Sequence, residues 1–249
     1  MSIGNGLRGL TATAFAVSAL FAAQPAAADV IEINNFWAGS GIANISFTGP
    51  NWHDGSKVSG LNETGGSGGF KTYDLTTDPN RQNAFQSFCV DIFHSFSFAV
   101  DSNDTLQPAS VISSTAAADL GRLYTNHYAD IASTNSSAAS ESAFQLAVWE
   151  IVNDSAGASS GYNLSQGTFQ ATGTGSALAQ TWLNELSLPS VSDYVANIWS
   201  VQSMITTGHG YAQDVVVFAP VPEPQTYAML LVGLGLLGLS ARRKNQSLS

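Results

Sequence analysis

The sequence predicts an α+β fold: an antiparallel β-sandwich or barrel-like framework with an inserted helical subdomain, and a short apolar helix at the C-terminus. Three observations carry this. Residues 85 to 100 alternate in the period-two manner of a strand. Residues 116 to 152 carry apolar side chains at helical spacing instead. Beyond residue 190 the composition returns to β-branched and aromatic residues. Strands first, helices in the middle and strands again describe sheets and helices packed as separate layers.

Each element has its own signal. Val30 to Ile33 and Ile42 to Phe47 read as two strands flanking a Gly39-Ser40-Gly41 turn. Gly49 to Gly69 reads as a loop ending in Gly65-Gly66-Ser67-Gly68-Gly69. From Phe85 to Val100, Phe88, Val90 and Ile92 alternate with Cys89, Asp91 and Phe93, and His94-Ser95 marks a bend within a hairpin. A helix over Ala116 to Ile131 places Leu120, Leu123, Tyr124, Tyr128 and Ile131 on one side, with Ser114 as its N-cap. A second, over Ala138 to Val152, buries a stripe of Phe144, Ala147, Val148, Ile151 and Val152. A third runs from Ala177 to Leu186, and strands follow at Val191 to Met204 and Val215 to Phe218. There is no internal repeat of solenoid or propeller period.

Both ends are targeting segments rather than fold. Arg8, an apolar stretch from Leu10 to Ala23 and the small residues Ala26-Ala27-Ala28 after Pro25 form a secretory signal peptide over residues 1–28. At the other end, Pro222-Glu223-Pro224 stiffens an extended entry to an uncharged, Leu-rich run from Tyr227 to Ala241, closed by Arg242-Arg243-Lys244. As a helix that run is about 22 Å long, short of the roughly 30 Å hydrocarbon core of a bilayer. The basic triplet acts as a stop-transfer signal. A marginal span of this kind inserts through residues 227–241 either transiently or permanently. This arrangement closely resembles the PEP-CTERM tail. The resemblance implies an exported protein of a Gram-negative cell, handed to an exosortase that cuts near the motif. The tail accordingly occupies residues 220–249 and the ectodomain residues 29–219.

The ectodomain is strongly acidic. Of the 18 acidic residues only Glu223 lies outside it, against Lys57, Lys71, Arg81 and Arg122 inside. Nucleic-acid binding is therefore excluded as a function, since affinity for phosphate rests on Lys and Arg. With a single cysteine, Cys89, no disulfide framework is available. A lone cysteine in an exported protein is a buried small hydrophobe, an intermolecular disulfide partner or a reactive group.

Two segments bear on that choice. One is Phe88-Cys89-Val90-Asp91, a cysteine on a strand after an aromatic; the other is Gln145-Leu146-Ala147-Val148-Trp149 on a helix. Together they resemble the thioester domains of bacterial surface adhesins, in which an aromatic-Cys pair precedes a Thr-Gln-x-Ala-hydrophobic-Trp helix. Phe144 stands here where that family has Thr. The resemblance implies an internal thioester between Cys89 and Gln145, shielded by Phe88 and Trp149, with Phe93 a further candidate screen. An amine on a partner would displace the thiolate once, without enzymatic turnover. Asp91 and Glu150 flank the pair as hydrogen-bonding supports or surface groups.

Other signals are weaker. Gly65-x-Ser67-x-Gly69 fits a nucleophile elbow only in letters, because it sits in a Gly-rich loop. Gly233-x-Gly235-x-x-Gly238 lies inside the apolar run and not after a strand. Asp101-Ser102-Asn103-Asp104 lacks the glycine and glutamate of a calcium loop. The four histidines show no metal spacing, and neither metal nor cofactor is expected. The sequence thus predicts a non-enzymatic cell-surface or matrix protein attached covalently to an amine-bearing partner. The alternative is a structural biofilm domain associated with exopolysaccharide through exposed aromatics such as Trp37 and Trp52, with Cys89 inert.

Overall fold

The computed structural model describes residues 29–53, 56–93, 98–107, 112–132, 136–154, 161–188, 194–200 and 213–220, and residue 234. The predicted signal peptide, the sorting motif, the stop-transfer triplet and all but one residue of the apolar C-terminal run lie outside them. Nine strands are defined: β1 Asp29–Phe36, β2 Gly41–His53, β3 Ser56–Ser67, β4 Phe70–Asp74, β5 Phe85–Cys89, β6 Ala99–Gln107, β7 Phe169–Gly173, β8 Tyr194–Ser200 and β9 Val215–Pro220. Three helices complete the fold: α1 Ser114–Ile131, α2 Ala138–Asn153 and α3 Ser176–Glu185.

The fold is α+β, with two antiparallel sheets. In the first, β1, β4, β5, β9, β8 and β6 pair in that order and β6 returns to β1, giving a barrel-like framework. The second is β3-β2-β7. All three helices fall between β6 and β8 in the chain, where the sequence placed them. They share one continuous apolar core with the strands.

Several pairings differ from expectation. β1 and β2 do not face each other across the Gly39–Gly41 turn: β1 pairs with β4 and β6, and β2 with β3 and β7. The segment read as a loop contains β3, paired with β2 from Gly41↔Ser67 to His53↔Ser56. Its Gly, Ser, Asn and Thr residues contribute backbone hydrogen bonds instead of an apolar stripe. Nor do β5 and β6 form one hairpin, since each pairs with other strands.

The helices show why α2 matters. α1 is capped by Ser113, one residue before the expected cap, whose hydroxyl accepts from the Ala116 N–H at 3.1 Å. α2 opens on a capping box in which Ser137 and Ser140 exchange backbone and hydroxyl bonds. Every residue from Ser140 to Ile151 is buried, so α2 is wrapped on all sides and not along one stripe. A helix so enclosed must find partners for Glu141, Ser142, Gln145 and Glu150, because an unpaired buried polar group costs about 1–3 kcal/mol. Ser142 bonds Ser67 and the Thr174 carbonyl. Glu141 accepts from the Gly69 N–H at 3.2 Å and from Gln86 Nε2 at 2.8 Å. The partner of Gln145 builds the candidate site.

Candidate functional site

Strand β5 carries Cys89 at its end. On one side β5 pairs with β9, through Phe88↔Val216 and Cys89↔Val215. On the other side its pairing with β4 stops at Phe70↔Ser87, which leaves the Cys89 main chain without a strand partner there. Gln145 supplies one. The Cys89 N–H donates to Gln145 Oε1 at 3.0 Å, and Gln145 Nε2 donates to the Cys89 carbonyl at 2.7 Å. The side-chain amide thus substitutes for a missing peptide unit, and residues 56 apart in sequence are locked together. Both side chains are buried, at 1 % exposure each.

The thiol sits in an environment that keeps it protonated. Burial, and then the Asp91 charge, push its pKa well above the usual thiol value. Its Sγ–H donates to the Asp91 carbonyl at 2.9 Å, while the Asp91 carboxylate accepts from the Phe93 N–H at 2.8 Å. The Trp149 indole N–H favours the thiolate, a smaller effect than burial, although it completes no hydrogen bond of normal geometry.

Cys89, Gln145 and Trp149 all line one cavity of about 580 Å³. Trp149 follows Gln145 by one helical turn, so the two share the face of α2 turned to the cavity. The opposite wall is the β2–β3 ribbon, where Ala43 faces Gly65 and Ile45 faces Glu63 across the ladder. Phe88, predicted as a shield, does not line the cavity. It packs on Phe144 with ring centroids 4.5 Å apart. Phe93 and Phe98 line the cavity instead. Trp37 is half-buried rather than exposed. The side chain of Trp52 lies outside the described residues.

Two buried carboxyls bracket the site on α2. Burial pushes Glu141 and Glu150 each up to about 7. Glu150 accepts from the Asn163 N–H at 2.8 Å, and its second oxygen has no partner. It therefore serves the loop after α2 and not the Cys89–Gln145 pair. Sequence reasoning found Cys89, Gln145 and Trp149 but missed Glu63 and Gly65, because β3 looks like a loop. The inward alternation of β3 opposite β2 is the signal that would have found them.

An amide whose oxygen already accepts a main-chain N–H is polarised for attack at its carbon. The Cys89 thiol lines the same cavity, and burial and the Asp91 charge hold it in its protonated, weakly nucleophilic form.

Comparison with known proteins bears on the tail. Residues 220–244 match the PEP-CTERM protein-sorting motif, and the match includes Pro222-Glu223-Pro224 and Arg242-Arg243-Lys244. No curated protein and no solved structure matches the chain. Among the described residues no helix is long and apolar enough to cross a membrane. The matched tail is a PEP-CTERM sorting motif, which supports an exosortase substrate exported to the cell envelope or surface.

Proposed function

We propose that the ectodomain is a covalent attachment module in which Cys89 and Gln145 join as an internal thioester and an amine on a partner molecule opens it. What supports the reading is the two-way hydrogen bonding between the Gln145 amide and the Cys89 main chain at the wall of a cavity that both residues line. The sulfur attacks the Gln145 amide carbon, and charge gathering on Oε1 meets the Cys89 N–H. The carbon–nitrogen bond breaks, the thiol proton leaves with the nitrogen as ammonia, and a sulfur–carbon bond remains. In the second step a primary amine attacks that carbon, the thiolate leaves and takes up the amine's proton, and an amide links partner to Gln145. Each molecule reacts once. Trp149, Phe93 and Phe98 keep water from the bond before the partner arrives. The partner belongs to the cell surface or to an exopolysaccharide-rich biofilm matrix, the setting that PEP-CTERM sorting suggests.

The intact mass of the exported protein tests this. Wild type is expected to be lighter than its sequence by one ammonia and to regain mass with methylamine, while Cys89→Ala keeps its full mass and takes up nothing. An unmodified wild-type mass, unchanged by methylamine, rejects the thioester. A second reading has its own support: Gln145 already satisfies two backbone groups, which is a sufficient structural reason for a glutamine there. On that reading Cys89 is inert and the domain is a non-covalent matrix component, and both variants would have ordinary masses.

A further inference from the structure

We infer that Glu63 is a specificity-determining residue of the cavity, admitting the cationic end of an alkylammonium group such as a lysine side chain at the port between Glu63 and Gly65. The inference concerns the proposed attachment site but does not require the thioester to form.

Charge is the first ground. Glu63 is the one charged residue among those lining the cavity. It pairs with Ile45, and residues opposed in an antiparallel ladder point to the same face. Ile45 is part of the core, so Glu63 stands on the inward side of the ribbon, where it is solvent-exposed at the cavity rim. No hydrogen bond or ion pair holds its carboxylate among the described residues. Three cations are engaged elsewhere: Arg81 with Glu32 at 2.5 Å, Arg122 with Asp119, and Lys71 over the Tyr73 ring at 5.6 Å. A negative group on an inward face, with no Lys or Arg among the described residues that line the cavity, is complementary to a cation from outside.

Space and lining are the second ground. Gly65 opposes Ala43 two positions along the ladder, so small residues lie beside the acid on the same face. A Cβ built at Gly65 meets nothing within 4 Å. Behind this port the walls are apolar and aromatic. Phe36 packs edge-on against Phe98 at 5.3 Å and tilted against Phe70 at 5.6 Å. Such rings accept both a methylene chain and a nearby ammonium, the latter through attraction to the ring face. The volume, about 580 Å³, falls inside the roughly 300–1,000 Å³ range of small-ligand sites. An acid at the rim and an apolar channel behind it match a cation carried on a methylene chain better than a sugar, which needs several polar partners along its length.

The test uses the full exported protein bearing Cys89→Ala, which cannot form the bond, titrated by calorimetry with two probes. One is N-acetyl-lysine N-methylamide and the other its norleucine analogue, equal in chain length but uncharged. The lysine probe is expected to bind roughly five- to tenfold more tightly, the size of one rim ion pair plus a cation–ring contact. Glu63→Gln should erase that preference, and Glu63→Lys should invert it. Gly65→Leu should abolish binding of both probes while leaving the melting temperature close to that of the parent. Equal affinity for the two probes, or a preference surviving in Glu63→Gln, overturns the inference. Failure of the thioester itself would appear separately, as an unmodified wild-type mass beside intact lysine selectivity.

Discussion

The two walls of the cavity are built on opposite principles. One, made by β5 and α2, is dense: Phe88, Phe144, Leu146 and Ile151 are fully buried, and Gln145, Glu141 and Ser142 are held by hydrogen bonds. The other, the β2–β3 ribbon, is thin, with Gly65 and Gly66 exposed and the β3 edge unpaired among the described residues. A reactive pair needs the first kind of wall, because positioning depends on side chains that cannot move. A partner needs the second, because entry depends on small residues and open space. The contrast teaches that rigid positioning and access are assigned to separate parts of the fold and can be altered independently.

Mutations can break or sharpen that contrast. The largest effect is expected on the dense wall: Phe144→Ala removes a ring packed against Phe88, Tyr124 and Phe218 and should cost about 3–5 kcal/mol in urea unfolding. Next comes pH. In the fold Glu141 and Glu150 titrate at about 7, pushed up by burial from the ordinary glutamate value of 4.5. The fold therefore favours their neutral forms. Stability is highest below about pH 4.5 as far as these two groups go, and falls as pH rises to about 7, by on the order of 3 kcal/mol for each. The lowered pKa of Glu32, held by Arg81, acts oppositely, adding stability above its unfolded pKa that is lost as pH falls. Glu150→Gln should flatten the decline between pH 5 and 8 in thermal melts; an unchanged slope would remove Glu150 from this role.

Two glycines in one stretch give the finest comparison. A Cβ at Gly69 would come within 2.5 Å of Glu141 Oε2 and 2.9 Å of Phe88, on the dense wall. Gly69→Ala should cost roughly 1–3 kcal/mol. Gly65→Ala, four residues earlier on the open wall, should stay within about 0.5 kcal/mol. If the two cost the same, the walls do not differ as described.

The sequence disclosed the dense wall more readily than the open one. Alternation around Cys89 and the run from Phe144 to Trp149 are local patterns; α2 formed where its pattern lay, while β5 formed only over the first part of its own and stops at Cys89, with Phe88 to Ile92 all buried. The full enclosure of α2 was not legible, since it depends on β2, β7 and α3 arriving from distant parts of the chain. β3 was misread because its strand character comes from pairing with β2, while its composition is that of a turn. Strand partners were the least legible feature: β1 next to β2 looked like a hairpin, yet each joined a different sheet. Glu63 became visible only once register had fixed which way it points.

The exit of the chain has a mechanical consequence. Pro220 is both the last residue of β9 and the first residue of the matched sorting segment. β9 is paired along its length with β8 and, at Val215 and Val216, with β5 beside Cys89. Tension on the tail would load β9 lengthwise, so that several ladder bonds resist together in shear instead of parting one at a time. β9 would then carry the load to β5, and from Cys89 it would reach Gln145 on α2 across their two hydrogen bonds.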